Sequence, residues 1–300
     1  MPQDRSIKEI RNKLSQWSQA PIFVALDGAL FNNLPRLLDD AGFNALSLFI
    51  EQTDPESIRV SPQFVSVPHN RLEEFLNIPK VSKGCVFWNA PNCEPMSFYR
   101  HLRSLSMVRI PYKKQTTADA HRTRMVFFRH FDPATVAITL PVLRPEQRAR
   151  LFGPAQSLLI DAPEGVLEAK KQSNWPPPEK GFLTFDAEQM ARISEALALR
   201  SKRAIASYLR DTASQKTAHL SDNELLTYIS QQEKIAHEYG VTSEAGIGRF
   251  CWLQLMSDGK FIQIKTVQIM IRSPENSPDD NLIKIMDQIA YIQSQRESGL

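Results

Sequence analysis

The stretch Arg124–Val136, RMVFFRHFDPATV, decides how the first half of the chain is read. Its opening run is short, β-branched and aromatic, which suits a strand, and the Asp-Pro pair that follows suits the start of a helix. Asp132 can act as N-cap with Pro133 at the first helical position. Strand alternation sets Met125, Phe127, Arg129 and Phe131 on one face and Val126, Phe128 and His130 on the other. Arg129 is therefore expected among apolar neighbours, where an unpaired charge is costly. Asp27 and Asp132 are its candidate partners.

Outward from this corner the same alternation recurs. Upstream, Ile7, Ile10, Leu14 and Trp17 fall on one helical face, and PIFVALDG reads as a buried strand ended by a turn. A short helix at NLPRLLDDAG, strands at NALSLFI and QFVSV, a helix at RLEEFL, a strand at GCVFW, a helix over Met96–Leu105 and a strand at MVRIP follow. Downstream come helices at PATVAITLPVL and PEQRARLFG and a strand at SLLID. Strands interleaved with helices predict an α/β N-terminal lobe with a mixed or largely parallel sheet and flanking helices.

The character changes at KKQSNWPPPEKG, because three consecutive prolines favour an extended segment. This divides the chain into an α/β lobe at 1–169, a Pro-rich linker at 170–181 and a mostly α-helical C-terminal lobe at 182–300. Helix starts in that lobe are marked by Asp186 with Gln189, by Ser221 with Glu224, and by Ser277 before Pro278. KFIQIKTVQIMI is open to strand or helix, since its β-branched content and its length point opposite ways.

Composition, 42% hydrophobic and 23% charged over 300 residues, is that of a globular chain and excludes disorder as its main theme. The charged N-terminus has no apolar stretch of the roughly 7–15 residues a secretory signal needs, and no window approaches about 18 apolar residues, so a cytoplasmic protein without membrane insertion is expected. Three dispersed cysteines form neither a disulfide framework nor a zinc knuckle. Up to Lys180 there are 23 Lys and Arg against 18 Asp and Glu. Much of that excess lies between Arg100 and Arg124, which holds seven basic residues and one acid, Asp119. Such a cluster attracts phosphates or an acidic protein face.

A search for chemistry finds none. There is no glycine-rich phosphate loop among only 11 glycines, no GxSxG, and no HExxH or other ligand-spaced histidine pair. No catalytic residue, metal ligand or cofactor site is assigned, and the chain is read as a non-enzyme.

VALDGAL (24–30), LSLFIEQT (46–53), SPQFVSV (61–67), FYRHLRSL (98–105) and VFFRHFDPATVAITLPVLRPEQRARLFGP (126–154), in that order, resemble the adaptor, or effector-chaperone, family of bacterial type VI secretion systems. The similarity runs from about Trp17 to Ile160, and FLTFDAEQMARISEA (182–196) resembles the start of that family's helical lobe. The resemblance implies a cytoplasmic, non-enzymatic protein that holds a toxic effector, usually by the effector's N-terminal segment, and loads it on a VgrG-type spike. It carries over Asp27, Gly28, Arg129, Asp132 and Pro133 as fold-defining positions. PYKKQTTADAHRTR (111–124) departs from the family's shorter turn and makes a longer basic loop.

The partner is expected between the two lobes and against that loop, with Arg109, Lys113, Lys114, Arg122 and Arg124 as partner-binding residues. The competing reading is a nucleic-acid-binding module built on residues 100–124 with Phe98, Tyr99, Tyr112, Phe127 and Phe128 as interleaved aromatics. It is disfavoured because the aromatics of the adjoining strand belong in a core.

Overall fold

The computed structural model describes residues 2–49, 54–112 and 122–297. Helix α1 (Pro2–Leu14) leads into strand β1 (Ile22–Leu26), then α2 (Leu34–Asp40), β2 (Ala45–Ser47), α3 (Pro55–Arg59), β3 (Gln63–Val67), α4 (Leu72–Leu76) and β4 (Cys85–Asn89). Next are α5 (Pro95–Arg103), β5 (Met107–Pro111), β6 (Thr123–Phe127), α6 (Pro133–Thr139), α7 (Pro145–Phe152), β7 (Ser157–Ala162) and β8 (Gly165–Lys170). The mixed or largely parallel sheet expected from the sequence is not what forms. Six strands in the order β2-β3-β1-β4-β7-β8 make one sheet in which every pairing is antiparallel. β5 and β6 form a separate antiparallel ribbon.

The reason lies in burial. Phe23 and Ala25 of β1 point into one core with Phe64, Val86 and Trp88, covered by Phe98 and Leu102 of α5, Val136 of α6 and Phe152 of α7. Ile22, Val24 and Leu26 point into a second core with Val65 and Phe87, covered by Ile10 and Leu14 of α1, Leu38 of α2 and Phe75 of α4. A strand buried on both faces reads as an unbroken apolar run, which is the usual mark of a parallel α/β sheet. Here the run reports helices on both faces and says nothing about strand direction. β8, which the sequence reading did not find, extends the edge through a hairpin in which Ala162 faces Gly165.

The chain divides into two compact units, one ending at Ser194 and one beginning at Glu195. The Pro-rich stretch, read from the sequence as the linker, lies within the first unit. Trp175 stacks edge-on against Phe152 of α7 with ring centroids 5.2 Å apart, and the Glu179 N–H donates to the Glu146 carbonyl at 3.2 Å. The division falls inside α8 (Ala187–Thr212). α8 starts with the expected capping box: the Gln189 N–H donates to Asp186 Oδ1 at 2.8 Å and the Asp186 N–H to Gln189 Oε1 at 3.1 Å.

The second unit is helical: α9 (Ser214–Thr217), α10 (Asp222–Glu238), α11 (Glu244–Met256), α12 (Lys265–Ile271) and α13 (Pro278–Glu297) follow α8. The stretch open to strand or helix is thus a 3-10 turn, Phe261–Gln263, followed by α12. Ile205, Leu209, Ile229, Phe250, Ile271 and Leu282 fill this unit's core. No helix among the described residues is long and apolar enough to cross a membrane.

Candidate functional site

The corner read from RMVFFRHFDPATV is built from both ends of the chain's first core region. Asp27 ends β1, is 3% exposed, and accepts the Ala29 N–H at 3.2 Å through Oδ1. Its Oδ2 accepts from Arg129 Nη2, and the same nitrogen lies 3.8 Å from Asp132 Oδ2. Asp132 caps α6 as its composition predicts: Oδ1 accepts the Ala134 N–H at 3.0 Å and Oδ2 the Thr135 hydroxyl at 2.7 Å, with Pro133 opening the helix. Both carboxylates considered for Arg129 therefore meet it. The Arg129 side chain is not enclosed by apolar groups, however, since 49% of it is exposed. The strand ends at Phe127, and the backbone leaves the alternation before Arg129.

Gly28 is held beside this carboxylate by a close approach of backbone. A Cβ there would sit 2.3 Å from the Ser61 carbonyl oxygen and 2.4 Å from that of Val60, so no larger residue fits without moving a strand entry. Gly153 of the LFGP motif has the same logic with a side chain: at φ +52° its missing Cβ leaves room for the His101 ring, which would lie 2.3 Å away.

Two histidines pack into this region in a way the sequence did not disclose: His130 is fully buried and His101 is partly buried. The His101 Nε2 is 3.0 Å from the Leu151 carbonyl, so this nitrogen carries the proton. Burial pushes His101 down to about 4. His130 is fully enclosed, beside the rings of Phe128 and Phe131, and neither ring nitrogen has a hydrogen-bond partner. Burial, with His101 nearby, pushes it down to about 3, although the Leu102 carbonyl lies close enough to favour its charged form slightly. Both rings are neutral near pH 7 and serve as core.

The candidate partner-binding residues fall on or next to the β5–β6 ribbon. Arg109, in β5, is exposed and its guanidinium carbon lies 5.6 Å from the Phe182 ring centroid. Arg122 and Arg124 are exposed at the start of β6, whereas Lys113 and Lys114 lie outside the described residues. The ribbon register pairs Met107 with Phe127 and Arg109 with Met125. One face thus carries Met107, Arg109, Met125 and Phe127, and Phe127 is 67% exposed with Phe49 beside it at 5.2 Å between centroids. The opposite face buries Val108 and Ile110. Sequence reading placed Phe127 among core residues because aromatic content alone cannot tell an inner from an outer face.

The thiols offer no activated nucleophile: burial raises Cys85 and Cys251, the latter to about 12, and Cys93 is raised as well. Among the described residues no group of three or more His, Cys, Asp or Glu side chains could hold a metal ion.

Together these features define a class of domain: an antiparallel sheet buried between two helix layers, a carboxylate–arginine corner, and a ribbon with one apolar, cationic face turned to solvent. Residues 22–150, from β1 into α7, match the model of a family described as a domain of unknown function (DUF4123). That span holds Asp27, Gly28, Arg129, Asp132, Pro133 and the whole ribbon, and leaves α1, β7, β8 and the second unit outside it. Comparison with curated proteins and with solved structures gives no match.

Proposed function

We propose that this chain is a non-enzymatic cytoplasmic adaptor that binds a type VI secretion effector and presents it to a VgrG-type spike. Two things support the reading. The ordered motifs that resemble the effector-chaperone family overlap the span that matches the family model. The observation that carries it is the ribbon face: Arg109, Met125 and Phe127 are exposed together on one face of the β5–β6 pair, an apolar centre with a cationic rim of the kind protein partners use. His130 and Asp132, the pair a hydrolase reading would use, are engaged respectively in the core and as the cap of α6.

Co-expression with the toxin encoded beside its gene should give a complex that survives size-exclusion chromatography and that captures the spike protein. Failure to co-purify with any product of its own gene cluster would overturn the reading. A nucleic-acid module has less behind it, since Phe98, Tyr99 and Phe128 are buried, although Tyr112 and Phe127 both face solvent. Its signature would be binding to unrelated nucleic acids that collapses between low and moderate salt.

A further inference from the structure

The backbone of the ribbon carries more than its side chains. The Phe128 N–H donates to the Ser106 carbonyl at 2.9 Å and the Tyr112 N–H to the Arg122 carbonyl at 3.3 Å. In an antiparallel ladder, pairs that exchange hydrogen bonds alternate with pairs that do not. With this register the bonded positions on β6 are Arg124 and Val126, and Thr123, Met125 and Phe127 turn their N–H and C=O groups to the other side. The same parity holds on β5. There Arg109 faces away from β6 and is satisfied, donating to the Leu183 carbonyl at 2.8 Å and accepting the Phe185 N–H at 2.9 Å. β5 is therefore engaged on both sides at Arg109. Among the described residues no strand pairs with the second edge of β6.

An edge of this kind is a template for another strand, and folded proteins usually blunt it. Here the blunting is slight: Met125 and Phe127 are exposed on the strand, no proline interrupts it, and Arg124 is its one charged residue. The charge beside it has one sign. Arg124 on β6 and Arg109 across the ribbon are exposed, and neither is paired with a carboxylate among the described residues.

We infer that the edge of β6 that is unpaired among the described residues is a strand-addition site that takes an extended segment of the effector, with apolar side chains opposite Met125 and Phe127 and a carboxylate opposite Arg124. This rests on the adaptor reading and adds to it the surface, the conformation of the bound segment and its pattern. Backbone bonds to Thr123, Met125 and Phe127 give affinity with little demand on sequence, and alternate side chains give the selection. Pairing of β6 with a second copy of this chain is disfavoured, because it would bring two strands of the same positive charge side by side.

The test uses the full chain and the toxin encoded beside its gene. Hydrogen exchange on the free chain and on the complex should show the amides of Thr123, Met125 and Phe127 slowed at least about tenfold by the toxin, beyond any change at Arg124 and Val126. Met125→Pro removes one outward N–H without touching the β5 ladder and should weaken binding about tenfold or more. Phe127→Asp, at a side chain the fold leaves in solvent, should do the same and covers the case in which the proline variant does not fold. A complex that forms with those amides unprotected and both variants binding normally overturns the edge and leaves the adaptor reading intact. Absence of any complex overturns the adaptor reading, and the edge with it. Protection that grows with concentration in the chain alone would assign the edge to self-association and overturn the inference.

Discussion

Arg129 is the residue on which the sequence posed the sharpest question, and its partners explain why a charge stands at that position. Asp27 is buried and holds a turn with one oxygen while the other meets Arg129. Removing Arg129 leaves a buried carboxylate without its cation, whereas Asp27→Asn keeps the cap. Arg129→Ala should therefore cost about 2–3 kcal/mol, discounted from a fully buried pair because half of the arginine is in water. Urea midpoints for the two single variants and the double variant should show coupling of at least about 1 kcal/mol. His130 makes a pH prediction. Unfolded, its imidazole takes a proton near the ordinary 6.5, and folded it stays neutral down to about 3. Between those values the unfolded chain binds more protons, so this contribution is complete above about pH 6.5 and is lost as pH falls toward 3. The loss between pH 6.5 and 5 is about 2 kcal/mol. His130→Leu should flatten the urea-midpoint profile by that amount over that interval; parallel profiles would show that His130 is not linked to acid sensitivity.

At the scale of elements, helix starts were the most legible feature. A cap is a local bargain between a side-chain oxygen and an N–H two or three residues on, so Asp132, Asp186 and Ser221 could be assigned from spacing alone. Asp132→Ala should cost about 1–2 kcal/mol, since it removes the cap of α6 and one neighbour of Arg129 together. Circular dichroism and the urea midpoint would check that the helix persists while stability drops. Strand positions were nearly as legible, with β8 missed because its exposed edge lacks an apolar run. Strand direction was not. The signal taken for a parallel sheet, continuous hydrophobicity, is a report of burial on two faces, and an antiparallel sheet between two helix layers produces it equally well. Likewise VFF in β6 reads as core, yet Val126 and Phe127 part company because only one side of the ribbon is covered.

For the molecule as a whole, each unit has its own core. Phe250 is fully buried in the second, edge-on to Phe261 with ring centroids 6.0 Å apart. Phe250→Ala should cost that unit about 3–5 kcal/mol and speed hydrogen exchange throughout α10 and α11. Unchanged protection there would mean the helices do not depend on this core. From the sequence alone came the helical C-terminal half, the helix starts, the strand segments, and the identity of Asp27 and Asp132 as the acids near Arg129, because periodicity and capping act over a few residues. The tertiary structure alone decided the antiparallel order β2-β3-β1-β4-β7-β8, the placing of the Pro-rich stretch against α7, the full burial of His130, and the exposure of Met125 and Phe127. These depend on which surfaces meet across long sequence separations, and pairing of that kind is set by the covering of the whole sheet, not by any local run of residues.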